Sequence, residues 1–129
     1  MRHTGEHRMK YVLLAYRDEQ QWQTMSTSER DAFVNACQVR EQELQQNGHL
    51  FAAAGQQNWN TTLTVQLLNG KVALTDGPGA ATKGDLIQLY FITARDLNEA
   101  IQLAAKMPQA RQGSVEVRSI IEINYSIYD

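Results

Sequence analysis

Asp76 closes a β-type run, Lys71-Val72-Ala73-Leu74-Thr75, and opens the sequence Asp76-Gly77-Pro78-Gly79. Two glycines and a proline in four residues can neither continue a strand nor enter a helix interior. The turn therefore fixes a carboxylate at a strand end, with the Lys83 ammonium on the same loop. A charged pair on a rigid loop is a place where binding or proton transfer can be built. Asp76 can act as a general base or hold a ligand's polar group. It can equally cap its own turn by accepting from a backbone N–H two residues on. Lys83 can bind an anionic group or pair with Asp76; as a solvated loop lysine it needs no role.

Three other sets carry chemistry. Glu116 and Arg118 share one face of a strand, as ligand contacts or as an interface ion pair. Gln88 and Tyr90 share one alternation and could line the same cavity, although a tyrosine in a sheet is more often core. On the helix that starts near Ser28, Phe33, Cys37 and Leu44 fall together with Arg40 among them. A guanidinium there either snorkels out or meets an internal acid. Beside Cys37 it would lower the thiol pKa and make a nucleophile, against the plainer reading of an inert buried cysteine. Trp22 and Trp59 sit in connections, edging a pocket or pinning a loop. His3 and His7, unaccompanied in a polar leader, do not make a metal site.

These residues need elements to hold them. Lys10–Tyr16 is apolar on both alternating faces and reads as a strand covered on both sides. Arg17–Met25 reads as a polar connection. Ser26-Thr27-Ser28-Glu29 is a capping box, and the helix it opens runs to about Asn47, before the stop signal Gly48. His49–Ala54 is a short strand. Thr61–Leu68 alternates, and Asn69-Gly70 turns it back onto Lys71–Thr75 as a type I′ hairpin. Leu86–Ile92 is a strand. Asp96-Leu97-Asn98-Glu99 opens a second helix, striped by Leu97, Ala100, Ile101 and Ala104 and ended by Pro108. Ser114–Ile121 is the last strand.

The order β-α-β-hairpin-β-α-β predicts a ferredoxin-like α+β sandwich, an antiparallel sheet with both helices on one face. Alternation assigns Ile87, Leu89, Phe91, Val115 and Val117 to the helices and Leu86, Tyr90, Ile92 and Ile120 to the other face. Nothing in the chain remains to cover that second face, which predicts a homodimer with the two sheets facing.

The 129 residues suffice for one domain with a real core. At a net charge of −2 the chain lacks the basic face that non-specific nucleic-acid binding requires. No apolar run reaches the length of a membrane span, and the polar start does not read as a secretory signal. The single cysteine excludes an intrachain disulfide and fits a cytoplasmic protein, where sequons at Asn60 and Asn124 have no role. No phosphate loop, dinucleotide turn or Cys/His metal spacing is present, so no cofactor is expected.

Several segments together resemble the YCII-related family, in the branch named for its Asp-Gly-Pro-Phe tetrapeptide. They are Met9-Lys10-Tyr11, Gln46-Asn47-Gly48, Thr75-Asp76-Gly77-Pro78, Ala80 and Thr82-Lys83, Asp96-Leu97-Asn98-Glu99-Ala100, and Gly113-Ser114-Val115-Glu116-Val117-Arg118. The resemblance covers 9–122, leaving 1–8 as a disordered extension and 123–129 as a tail with the apolar Tyr125, Ile127 and Tyr128. It implies a ferredoxin-like fold dimerising as an α/β barrel. Members of the branch are mostly uncharacterised, and many are encoded near extracytoplasmic-function sigma factors. Some wider relatives resemble small lyases or dehydrohalogenases that use a His-Asp pair. Here the tetrapeptide ends in Gly79, Ala81 and Gly84 replace two glutamates, Ile87-Gln88 replaces paired glycines, and the position of the family's histidine falls near Cys37. His49 is on another element, so the His-Asp chemistry is not carried over.

The expectation is a small cofactor-independent enzyme that moves a proton on a small polar molecule, by isomerisation or elimination, in a cleft by the Asp76 loop. The competing expectation is a non-catalytic ligand-binding or regulatory module associated with transcription control. A purely structural dimer is a third.

Overall fold

The computed structural model describes residues 8–56, 62–78, 84–121 and 123. Its spine is β1 (Met9–Arg17), a central strand of a four-stranded sheet. The strand order is β2 (Leu50–Gly55), β5 (Asp85–Ala94), β1, β6 (Gly113–Ile120), with every pairing antiparallel. β3 (Leu63–Leu68) and β4 (Lys71–Asp76) form a separate two-stranded sheet. The helices are α1 (Glu19–Thr24), α2 (Thr27–Gln46), α3 (Leu97–Ala105) and α4 (Gln109–Gln112). The fold is α+β and consistent with the ferredoxin-like class, whose split β-α-β units give this interleaved order.

Local signals fix the ends of the main elements. Ser26 Oγ accepts from the Glu29 N–H (3.1 Å) and the Glu29 carboxylate accepts from the Ser26 N–H (2.8 Å), a complete capping box for α2. Asp96 caps α3 in the same way (2.9 Å), but the Glu99 carboxylate reaches one residue further, to the Arg95 N–H (2.8 Å). Asn69 and Gly70 have φ of 52° and 78°, as a type I′ turn demands.

The core lies between the sheet and α2, α3 and α4. β1 contributes Tyr11, Leu13 and Ala15, and β5 contributes Tyr90, Ile92 and Ala94. Leu44, Ala100, Ala104 and Met107 close over them, with Val115 and Val117 of β6 packed alongside. Of the expected α3 stripe, Ala100 and Ala104 are buried while Leu97 and Ile101 stay about half exposed.

Two expectations are corrected. The segment after β1 is not a plain connection but contains α1, capped by the Asp18 carboxylate, which accepts from the Gln21 N–H (3.2 Å). The β5 faces are also divided differently. Ala15 pairs with Gln88 and Tyr16 with Leu86, so Ile87 is an unpaired bulge residue. One extra residue reverses the phase of the strand. Tyr90 and Ile92 therefore face the helices, and Leu89 and Phe91 the other side, whereas Leu86 keeps its expected face. By register that open face carries Val12, Leu14 and Tyr16 of β1, Leu86, Leu89 and Phe91 of β5, and Glu116, Arg118 and Ile120 of β6.

Candidate functional site

Where α2 crosses β5 and β2, polar side chains converge inside an otherwise apolar layer. The Tyr90 hydroxyl donates to Glu41 Oε2 at 2.5 Å and accepts from Gln109 Nε2 at 2.8 Å. Gln88 Nε2 donates to the same carboxylate oxygen at 3.5 Å, and Gln109 also donates to Gln88 Oε1. Tyr90 and Gln109 are wholly buried. Glu41 Oε1 carries no hydrogen bond among the described residues.

Each element has a reason to deliver its part. Cys37, Glu41 and Leu44 lie one turn apart on α2 and so face the sheet together. Gln88 and Tyr90 are two residues apart on β5, past the bulge, on one face. Pro108 starts the short α4 and brings Gln109 in behind them.

Glu41 stands at the junction of three recesses. A cleft of about 400 Å³ runs from it past Cys37, Phe33 and Trp22 to Arg17, with Gln88 along one wall. A recess of about 160 Å³ lies between Glu41, Tyr90 and Gly55. A wider groove of about 600 Å³ opens between α2 and the edge strand β2, along Gln38, Gln42 and Phe51. At the far end of the cleft Trp22 has guanidinium groups near its ring, Arg17 at 4.9 Å and Arg30 at 4.8 Å, and Phe33 meets it edge-on. Arg17 also bridges Glu19 (3.2 Å) and Asp85 (3.6 Å). Burial raises the Asp85 carboxyl pKa against that cation's pull, while the hydrogen bond from Gln23 lowers that of Glu19.

Burial also decides the state of the other titratable groups. It pushes the Cys37 thiol up to about 12, with the Glu41 charge adding to the effect and Arg111 opposing it. At neutral pH Cys37 is therefore a protonated thiol, and Arg40 is not among the groups that shift it. Burial, followed by its bond to Glu41, also raises the Tyr90 phenol well above its ordinary value. Both groups hold their protons more tightly folded than unfolded. Stability from them is whole below the ordinary thiol value of 9.0 and falls as pH rises above it. Alkylation of Cys37 at pH 8 should therefore be at least ~10-fold slower in the native protein than after unfolding. Equal rates would show an open, ionised thiol.

The other residues singled out in the sequence lie apart from this cluster. Arg40 packs its stem and turns to α3, where Nη2 donates to the Leu103 carbonyl (3.1 Å) and Nη1 pairs with Glu43 (3.3 Å). An acid and a backbone carbonyl thus receive the guanidinium, as a nearly buried charge requires. Glu116 and Arg118 pair with each other (3.0 Å) on the open sheet face, and the Tyr16 hydroxyl donates to Glu116 (3.3 Å). They are on the opposite side of the sheet from Tyr90. Asp76 is exposed at the end of β4. The nearby recess of about 190 Å³ is lined by Pro78 of the same turn, with Tyr16, Asp85 and Leu86. His49 Nδ1 donates to the Thr93 carbonyl (2.9 Å), a structural bond. Lys83, Trp59, His3, His7, both sequons and the apolar tail lie outside the described residues.

Sequence reasoning missed Glu41 and Gln109. Glu41 had a signal, since it follows Cys37 by one helical turn and shares its buried stripe. Gln109 had none, because a glutamine after a proline looks like any surface turn. No group of three His, Cys, Asp or Glu side chains suited to a metal gathers among the described residues. Among the described residues no helix is long and apolar enough to cross a membrane.

An antiparallel α+β sandwich with a polar cluster under its long helix defines the class of the protein. A sequence model of the YCII-related domain matches residues 9–124. The chain belongs to the YCII-related family. It is also similar to an uncharacterized protein of Rhizobium meliloti (strain 1021), with 28% identity over 114 residues, covering 87% of this chain and 92% of that protein.

Proposed function

We propose that the cleft under α2 binds a small polar molecule and moves a proton on it, with Glu41 as the base. The observation that carries this reading is the Glu41–Tyr90 bond at the inner end of the cleft, where it meets the smaller recess, with one carboxylate oxygen engaged and the other open to a ligand. Glu41 would take a proton from carbon next to a carbonyl, leaving the electron pair as an enolate. Return of that proton at another carbon completes an isomerisation; loss of a β-substituent with the electron pair completes an elimination. Tyr90, kept neutral by burial, holds the carboxylate in place. Asp76 and Lys83 are not needed for this step. Two copies would pair through the open sheet faces, supported by the half-buried apolar band of Leu14, Leu89 and Phe91.

One observation favours a binding module without chemistry: Tyr90 and Gln88 already partly satisfy the Glu41 carboxylate. Proton NMR in deuterium oxide separates the two. A panel of small 2-oxo and 3-oxo acids should lose carbon-bound protons in the presence of the protein, and Glu41→Gln should slow this by ~100-fold or more. Shift perturbation of Gln88 and Gln109 amides with no exchange, in both proteins, would reject catalysis and leave binding.

A further inference from the structure

Among the described residues Glu41 meets no cation. Its Oε2 accepts from neutral donors, Tyr90 at 2.5 Å and Gln88 at 3.5 Å, and none of the ion pairs among the described residues includes it. Arg17 is the one cation among the described residues lining the cleft, and two carboxylates already take it, Glu19 at 3.2 Å and Asp85 at 3.6 Å. Arg30 lies against Trp22 outside that lining and donates to the Trp22 carbonyl (2.8 Å). Arg111 and Glu29 line a separate recess. The polar cluster behind Glu41 is also short of donors. Gln109 is wholly buried, its Nε2 donates to Gln88 and Tyr90, and its Oε1 finds no partner among the described residues. Buried acceptors without a donor are uncommon in folded proteins. The far walls of the cleft are apolar, with Trp22, Phe33 and the half-exposed Val34. Phe33, Cys37 and Glu41 follow one another by a turn of α2 each, so about 12 Å of helix separates this apolar end from the carboxylate.

We propose that the cleft under α2 selects a protonated amine on an apolar or aromatic body, with the ammonium against Glu41 Oε1 and the body along Trp22, Phe33 and Val34. An ammonium brings three donors and no acceptor, which is what this cluster lacks. A carboxylate partly withdrawn from water and left without a counter-charge is costly, and a cation on the ligand offsets that cost on binding. An anionic ligand would instead meet the charges of Glu41, Glu19 and Asp85, with Arg17 already engaged. Gly55 keeps the passage open. It lines both the cleft and the smaller recess beside Tyr90. A Cβ there would make only ordinary contacts, with the Ile87 carbonyl oxygen at 3.7 Å and Gln88 Cγ at 3.9 Å, so close packing does not demand a glycine. A glycine inside a strand weakens it and leaves room for something else to approach. The inference rests on the proton-transfer reading for its choice of cleft and names the substrate class for it. An amine held at Glu41 puts the neighbouring carbon within the carboxylate's reach.

Calorimetric titration of the full chain with three probes of similar shape tests it. Phenylbutylamine, phenylbutanol and phenylbutyrate are cationic, neutral and anionic at neutral pH. On the wild type the amine should bind ~10-fold or more tighter than the alcohol, as a hydrogen bond between charged groups allows, and the butyrate should bind weakest. Glu41→Gln keeps the size of the side chain and should bring amine and alcohol to equal affinity. Gly55→Val, whose added methyls enter the passage, should weaken the amine by ~10-fold or more. An amine no tighter than the alcohol, a butyrate that binds best, or no binding by any probe at millimolar concentration would overturn the proposal. So would an amine preference that survives Glu41→Gln, or amine binding unchanged by Gly55→Val. The proton-exchange assay succeeds or fails separately. Amine selectivity without exchange leaves a binding site and rejects catalysis; exchange without amine selectivity leaves catalysis and rejects this ligand class.

Discussion

Gly113→Ala is expected to destabilise the fold severely. A Cβ built on Gly113 would lie 2.0 Å from the Tyr16 carbonyl oxygen and 3.0 Å from the Asp18 nitrogen. No side-chain rotation relieves such an overlap, because both neighbours are backbone. β6 enters the sheet here, with Gly113 opposite Arg17, so relief must pull β6 away from β1. It would also move Gln112, whose buried amide donates to the Asp18 carbonyl (3.2 Å). A loss of at least ~3 kcal/mol is expected against a total stability of roughly 5–15 kcal/mol. Gly55→Ala is the control, with its nearest contact at an ordinary 3.7 Å. Thermal unfolding should show Gly55→Ala near the wild type and Gly113→Ala unfolded or far below it. A Gly113→Ala protein within ~1 kcal/mol of the wild type would contradict the close approach of the strands.

Tyr90→Phe is expected to separate packing from polar function. The phenyl ring fills the same volume, so no cavity opens. What is lost is the donor to Glu41 at 2.5 Å and the acceptor for Gln109 at 2.8 Å. Leaving buried partners unsatisfied costs about 1–3 kcal/mol. The cost should shrink in a Glu41→Leu background, and the coupling from that double-mutant cycle measures the pair itself. Proton exchange from the oxo-acid panel should fall with Tyr90→Phe, because Glu41 is no longer held toward the cleft. Full stability and full exchange in the variant would show that the cluster neither supports the fold nor orients a base.

The parts of the fold that local chemistry dictates were legible in the sequence. Ser26 and Asp96 cap their helices through short-range bonds to the glutamates three residues on, and Asn69-Gly70 supplies the two positive φ values that only a few residue types adopt. The phase of β5 was not legible. Leu86–Ile92 is apolar on both faces apart from Gln88, so no alternation marks which side is buried, and the bulge at Ile87 depends on pairing with a strand about seventy residues earlier. The site suffered from the same limit. The charged turn at Asp76 announces itself by residue type, whereas Glu41, Tyr90 and Gln109 come from three elements and meet only through tertiary packing. A helix of six residues after Asp18 escaped because its polar composition resembles a loop.

The interior position of β1 has a consequence for how the protein is made. Its neighbours in the sheet are β5 and β6, both encoded far downstream. At a synthesis rate of ~5–20 residues per second, β1 emerges on the order of 3–14 s before Asp85–Ala94 can pair with it. Throughout that interval Tyr11-Val12-Leu13-Leu14-Ala15 has both edges open, and only α1, α2, β2 and the hairpin have been made. The nascent chain must therefore carry the strand with the most buried positions unpaired until more than two thirds of the domain has left the ribosome, and that strand is where a chaperone would act and where aggregation would begin.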